Sequence, residues 1–232
     1  MPGRSPDLFD DAEAKPASPY ARSTLDRLNF TLRLREKGFR DTALLRAFEL
    51  VPRESFAPRR FADLARRDMA LPLPCGQTMT APLVLARLMS LAAIESKHRV
   101  LEIGAGSGYA TAILAHLAGE VVTVERFKSL AVEAEGKLRA LAPSNVALLH
   151  ADGLQGVARG VFDRIFVDAR MKAWPARLIE QLAPGGAIVA TIVENEISRL
   201  ARLRLQASGE IHQESFEMSS AAPLQEGRAE AL

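Results

Sequence analysis

Cysteine is almost missing from this 232-residue chain: Cys75 stands alone, which excludes an intramolecular disulfide and fits a reducing compartment. Histidine is scarce too. His98, His116, His150 and His212 are scattered without the spacing of zinc ligands, so no metal site is expected. No apolar run approaches the roughly 18–20 residues a membrane helix requires. Met1–Tyr20 carries no apolar stretch of the export-signal kind, so a cytoplasmic location without membrane contact is expected. Charge of one sign is also lacking. A net charge of +2 gives little attraction to nucleic acid, and Arg59-Arg60 and Arg66-Arg67 read as solvated faces. Internal repeats are not found. What remains, 48% hydrophobic and 25% charged residues, is ordinary globular composition at the size of one α/β domain with an added segment.

The stretch Val100–Tyr109 then organises the chain. Val100-Leu101-Glu102-Ile103 reads as a short buried strand, Gly104-Ala105-Gly106-Ser107-Gly108 as a turn, and Tyr109 as the opening of a helix to about Leu117. Glycines at alternate positions let the backbone turn sharply and bring main-chain N–H groups close to a ligand. A second apolar run, Val121–Val124, ends in Glu125, where a carboxylate can accept both hydroxyls of a ribose. Dinucleotide sites use G-x-G-x-x-G, whose last glycine lies beside a pyrophosphate. Here that position is Tyr109, and the glycine comes one residue early at Gly108. The pattern suits a ligand with a ribose and no phosphates, S-adenosylmethionine being the common one. The plain alternative is a glycine turn that serves only tight packing.

Four segments follow from the rest of the chain. Residues 1–20 are proline-rich and read as a mobile tail. Residues 21–96 form a helical segment: a helix opening at Ser23-Thr24-Leu25-Asp26 and ending at Gly38, a second over Thr42–Leu50 capped by Asp41, a short one over Pro58–Ala65, and one from Leu83 to about Ala93 capped by Thr80. Between the last two, Asp68–Pro82 reads as an extended loop. Residues 97–218 form a Rossmann-like core with a helix over Lys128–Leu141, strands at Val146–His150, Phe162–Asp168 and Ala187–Val193, and a helix over Trp174–Leu182 closed by Pro184-Gly185-Gly186. Leu200–Gln206 and Glu210–Met218 form an antiparallel hairpin at the sheet edge. Residues 219–232 read as a flexible tail. The fold class is α/β, a mostly parallel sheet with helices on both faces.

In such a sheet, ligands bind beyond the carboxyl ends of the strands. That rim carries Gly104–Gly108, Glu125, Asp152 and Asp168. Asp152 is placed to accept from an adenine amino group, with the backbone of Gly153 and Leu154 beside the ring, or else to cap a short helix over 153–157. Glu102 has an indirect role toward the amino group of the ligand or is a polar residue of the strand. Asp168 serves either local backbone or the substrate. Arg170 and Lys172 attract an anionic acceptor or form a solvated basic loop.

Leu50-Val51-Pro52-Arg53-Glu54-Ser55-Phe56, Asp68–Pro82, Arg99–Ala115, Val124-Glu125-Arg126, Ala151-Asp152-Gly153 and Gln181–Gly186 together resemble the protein-L-isoaspartate O-methyltransferases. The likeness covers roughly Arg46 to Val189. Its most specific element is Gly76-Gln77-Thr78-Met79-Thr80-Ala81-Pro82, which other methyltransferases lack. The resemblance implies a Rossmann-like class I methyltransferase fold and an S-adenosylmethionine cofactor held by Gln77, Thr78, Glu102, Gly104, Gly106, Ser107, Gly108, Glu125, Arg126, Asp152, Gly153 and Leu154. It implies methyl transfer to the free carboxylate of L-isoaspartyl residues in peptides or proteins, a repair reaction. The family's active-site hydroxyl falls on Thr80, where most members have serine. A carboxylate acceptor is already ionised at neutral pH and needs no strong base, in keeping with the lack of clustered bases or metal ligands.

Two stretches depart from the family. After the fourth strand the family has a threonine–alanine–alanine-like stretch, where this chain has Val167-Asp168-Ala169-Arg170-Met171-Lys172-Ala173-Trp174-Pro175. Near the C-terminus, an aromatic–valine–proline–leucine segment that helps bind the peptide is echoed by Phe216–Leu224 alone. Asp168 and Arg170 are therefore the substrate-side candidates. A methyltransferase with another acceptor, or a catalytically silent member that binds the cofactor or a partner, stands as the alternative.

Overall fold

Alternation along the central strands decides which side of the sheet each helix covers. The computed structural model of the protein describes residues 29–158, 160–219 and 221–229; the proposed tail over 1–20 and the cap at Ser23 lie outside them. Seven strands form one sheet in the order β5-β4-β3-β6-β7-β8-β9. These are β3 (Arg99–Ile103), β4 (Glu120–Glu125), β5 (Val146–His150), β6 (Phe162–Met171), β7 (Leu182–Glu194), β8 (Ile197–Leu205) and β9 (Ile211–Met218). The pairs from β5 to β7 are parallel, and β7-β8-β9 run antiparallel to one another, as the sequence pattern predicts.

Val100, Val121, Phe166 and Val189 face one layer of helices. That layer contains α1 (29–36), α2 (Thr42–Leu50), α4 (Pro82–Ala92), α5 (Tyr109–Leu117) and α6 (Lys128–Leu141). Leu101, Ile103, Val124, Ile165, Val167 and Ile188 face the other side. There the cover is thin: the four-residue α7 (Ala176–Ile179), Trp174 and Leu224 from the segment 221–229. The expected Trp174–Leu182 helix shrinks to α7 because β7 begins at Leu182. Pro184-Gly185-Gly186 does not close a helix but bulges from β7, whose Leu182 and Ala187 pair with Phe162 and Arg164 of β6.

Local signals place several elements well. Asp41 accepts from the N–H groups of Ala43 and Leu44 and caps α2. Gly108, at φ +84°, is the N-cap of α5 in the left-handed region, and a Cβ there would meet Leu138 of α6 at 3.2 Å. Pro58–Ala65 forms a 3₁₀ turn over Arg59–Leu64.

The Asp68–Pro82 loop departs from its extended reading. It folds into a small antiparallel pair, β1 (Leu71–Pro72) with β2 (Thr78–Met79), around a 3₁₀ turn at Pro74–Gly76. Thr80 does not cap α4. Ala81 holds the cap position without a side-chain bond, and Asp68 Oδ1 accepts from the N–H of Leu83 at 2.9 Å. The hydroxyl of Thr80 is thereby available elsewhere. Residues 221–229 cross the carboxyl rim of the sheet along a defined path, the two bridges Arg170–Pro223 and Phe127–Ala229 marking its ends.

Candidate active site

Three structures meet at the carboxyl end of β3: the glycine turn, the β1–β2 loop and the C-terminal segment. Two small adjoining cavities of about 50 and 60 Å³ lie between them. Gln77, Gly104, Glu125 and Asp168 border both. Thr78, Thr80, Gly106 and Ser107 line the first, and Arg126 and Gly153 line the second. Ten of the residues singled out from the sequence are thus gathered in one place.

Glu125 ends β4 almost fully buried, and its two oxygens are oriented by backbone. Oε2 accepts from Gly106 N–H at 2.8 Å and Oε1 from Phe127 N–H at 2.9 Å. This ties the acid to the glycine turn and leaves each oxygen further lone-pair capacity toward a ligand. Gly153 is required by close approach: a Cβ there would come within 2.5 Å of Ile103 Cγ2. Ser107 Oγ accepts from Tyr109 N–H at 3.4 Å, a long bond at the opening of α5.

Thr80 is 6% exposed and donates its hydroxyl to Asp168 Oδ1 at 2.7 Å. Asp168 is half-buried, its open part facing the cavities. Desolvation pushes its pKa up to about 6, against the Thr80 bond and the charge of Arg53. Arg53 was quoted in the sequence only as part of a motif, and its place here was not anticipated. From α3 (Arg53–Phe56) its buried guanidinium donates to the carbonyls of Ala65, Met69 and Thr80 at 2.8, 3.0 and 3.0 Å and lies 5.7 Å over the Tyr109 ring. One side chain therefore fastens both ends of the loop that presents Thr80. The signal available was Pro52-Arg53 at the start of a short helix.

Glu102, Asp152, Leu154 and Arg170 lie apart from the two cavities, and Arg126, which lines the second, makes its contacts outward. Glu102 is wholly buried on the helix side of β3, its Oε2 accepting from Thr111 and Thr123 hydroxyls at 2.5 and 2.6 Å. Burial, with Asp168 and Glu125 nearby, pushes its pKa up to about 8, and Oε1 has no partner. Asp152 takes the capping role: Oδ1 accepts from Leu154 N–H at 3.0 Å at the start of the 3₁₀ turn, while Oδ2 accepts from Gly227 N–H, also at 3.0 Å. Arg126 lies over the Phe127 ring and donates to the Gly227 carbonyl and to Gln225. Leu154 and the exposed Arg170 border a wider cleft of about 570 Å³ beside Trp174 and Leu224. Among the described residues no cluster of side chains suits a metal ion.

The arrangement fits a nucleoside cofactor. A buried acid is locked to a glycine turn with lone-pair capacity to spare, and a glycine at the next strand end is packed so tightly that a side chain cannot stand there. The second, hydroxyl-bearing element closes over it.

Comparison with known proteins agrees. A family model described as Protein-L-isoaspartate(D-aspartate) O-methyltransferase matches residues 27–229. A protein-L-isoaspartate O-methyltransferase of Azorhizobium caulinodans is 44% identical over 179 residues, 76% of this chain and 82% of that one. Another, of Xanthobacter autotrophicus, is 42% identical over 209 residues, covering 89% and 95%. Among solved structures, a Plasmodium falciparum protein named for the same activity and crystallised with S-adenosyl-L-homocysteine superposes with a TM-score of 0.73 at 20% identity, covering 85% of this chain and 97% of its own. A second structure named protein-L-isoaspartate O-methyltransferase gives 0.75 at 23% identity, covering 85% and 65%. At these identities the structures speak for the fold.

Proposed function

The chain belongs to the protein-L-isoaspartate O-methyltransferase family, and we propose that it methylates the free carboxylate of L-isoaspartyl residues through the groups gathered at the two cavities. S-adenosylmethionine, when bound, supplies an electrophilic methyl group on a sulfonium. Gly104, Gly106 and Ser107 provide the turn against which that cofactor lies, and Glu125, already oriented by two backbone N–H groups, accepts from its ribose. Gly153, which lines the second cavity, forms the wall for the base, with Asp152 and Leu154 on either side of it in the chain. Gln77 and Thr78 cover the site from the β1–β2 loop.

Thr80 faces the acceptor. A carboxylate acceptor is ionised at neutral pH, so the protein's task is to hold it in line and to exclude water rather than to remove a proton. The Thr80 hydroxyl is buried, held at a fixed point by Asp168, and backed by a loop whose carbonyls are tied down by Arg53. The observation that carries the reading is the convergence of Thr80 with Gly106 and Glu125 on one cavity from elements distant in sequence. The acceptor is a peptide or protein, and the single, unpaired Cys75 suits a cytoplasmic setting. No helix among the described residues is long and apolar enough to cross a membrane.

The test is a methyl-transfer assay on an isoaspartyl peptide and its normal aspartyl counterpart. Turnover of the isoaspartyl peptide alone is expected. Equal turnover of both would remove isoaspartyl selectivity, and cofactor binding without turnover of either would leave a different acceptor or a silent protein.

A further inference from the structure

A carboxylate acceptor brought to Thr80 meets another carboxyl group already there. Asp168 lies where β6 carries two extra residues opposite β7: Phe166 pairs with Val189, but Arg170 pairs with Thr191. Such bulges re-aim side chains beside a site, and this one turns Asp168 toward Thr80 and the cavity that Glu125 also borders. Two anions at hydrogen-bond distance repel strongly in a half-buried site, unless one holds a proton.

The surroundings do not neutralise Asp168 by other means. The charged and titratable groups around it are Arg53 from α3, Tyr109 from α5, Glu102 from β3 and Glu125 from β4, with Asp68 facing Arg53 from the loop. Arg53 acts on Asp168 through charge, while its hydrogen bonds go to carbonyls. The remaining acids bring no positive charge to it, and Thr80 donates only one hydrogen bond.

We propose that Asp168 is a specificity-determining residue of the acceptor site: as a neutral carboxyl it donates a hydrogen bond to one oxygen of the isoaspartyl carboxylate, coupling acceptor binding to the uptake of one proton. The proton stays with the carboxyl pair, and the acceptor's other oxygen remains free to form the new bond to the methyl carbon. The inference rests on the acceptor lying against Thr80. Burial supports it, since desolvation alone already pushes the Asp168 pKa up to about 6, against the Thr80 bond and the charge of Arg53, which brings the neutral form close to neutrality. The sign follows directly. Below that pH the proton is in place and binding is full; above it, each pH unit lowers acceptor affinity about tenfold, as one proton must be taken up.

The experiment measures binding rather than turnover. Calorimetry of the full-length protein saturated with S-adenosyl-L-homocysteine is run from pH 5.5 to 8 with an isoaspartyl peptide and with the same peptide carrying a neutral amide in place of the free α-carboxylate. Expected is a fall of about tenfold per pH unit above about pH 6–7 for the carboxylate peptide, with proton uptake seen in buffers of different ionisation enthalpy, and a flat profile for the amide peptide. Asp168→Asn keeps a donor and an acceptor without a titrating proton, so its profile is flat. Asp168→Thr serves the same purpose should the asparagine variant fold poorly, a cooperative thermal melt being the check on either fold. A flat wild-type profile, or a wild-type slope retained in both variants, overturns the role of Asp168 while leaving the isoaspartyl reading standing. No binding of the carboxylate peptide at any pH, with S-adenosyl-L-homocysteine bound, overturns that reading and this inference with it.

Discussion

A carboxyl group without access to water must be neutral or paid for, and Glu102 shows the consequence at the scale of one residue. Its side chain has no exposed surface, accepts two hydroxyl bonds on one oxygen and none on the other. Burial raises its pKa from 4.5 to about 8. Below pH 4.5 both the folded and unfolded chains carry the proton. Between 4.5 and about 8 only the folded chain does, so this contribution to stability is lost progressively as pH rises through that window. The loss amounts to about 4 kcal/mol by pH 8. Glu102→Gln preserves the shape and the two hydroxyl bonds but cannot ionise. Thermal melts at pH 5, 6.5 and 8 should show the wild type falling faster than the variant, with the gap widening toward pH 8. A constant gap would mean that Glu102 does not titrate there. With Oε2 accepting two hydroxyl bonds, the proton of the neutral form sits on the lone Oε1.

At the scale of elements, the loop that carries Thr80 is held by Arg53. Replacing Arg53 with alanine removes the donor from the buried carbonyls of Ala65 and Thr80 and the partly buried one of Met69, and opens space above the Tyr109 ring. Unsatisfied carbonyls cost about 1–3 kcal/mol each before relaxation, so a net destabilisation of about 3–5 kcal/mol is expected. For a chain of this length that lowers Tm by on the order of 10 °C. Arg53→Lys keeps the charge but not the fork of donors, and should fall between; a lysine variant as stable as the wild type would show that charge alone holds the loop. The same loop marks where sequence reading stops. The bounds of α2, α5, α6 and β5 were legible because caps, periodicity and turn residues act within a few positions. The cap of α4 was not. Asp68 reaches it across 15 residues, and Thr80 bonds a partner 88 residues away. Glu125 and the glycine turn were readable as a local unit; Arg53, Asp168 and Thr80 form a constellation that only the folded chain brings together.

For the molecule as a whole, sheet order places β6, β3, β4 and β5 side by side, so their carboxyl ends form one rim, and the C-terminal segment runs across it. Arg170 N–H donates to the Ala222 carbonyl, Leu224 N–H to Arg170, Gly227 N–H to Asp152, and Ala229 N–H to Arg126. Pro223, Leu224 and Gln225 thereby become a wall of the second cavity. The two cavities are far smaller than the roughly 300–1,000 Å³ of a pocket for a small organic ligand, so admitting a nucleoside requires a wall to move. The sheet and glycine turn are built into the core, whereas the C-terminal segment rests on a few hydrogen bonds to Arg126, Asp152 and Arg170, each worth about 0.5–1.5 kcal/mol, and on the packing of Leu224. It is the wall that yields. Ending the chain after Ser219 should therefore leave Tm within a few degrees of the full chain and raise the dissociation rate of S-adenosyl-L-homocysteine at least tenfold in a stopped-flow displacement experiment. Dissociation at the full-length rate would assign the moving wall to the β1–β2 loop instead, and a collapse in Tm would show that the segment, through Leu224 on the thinly covered face, is part of the core.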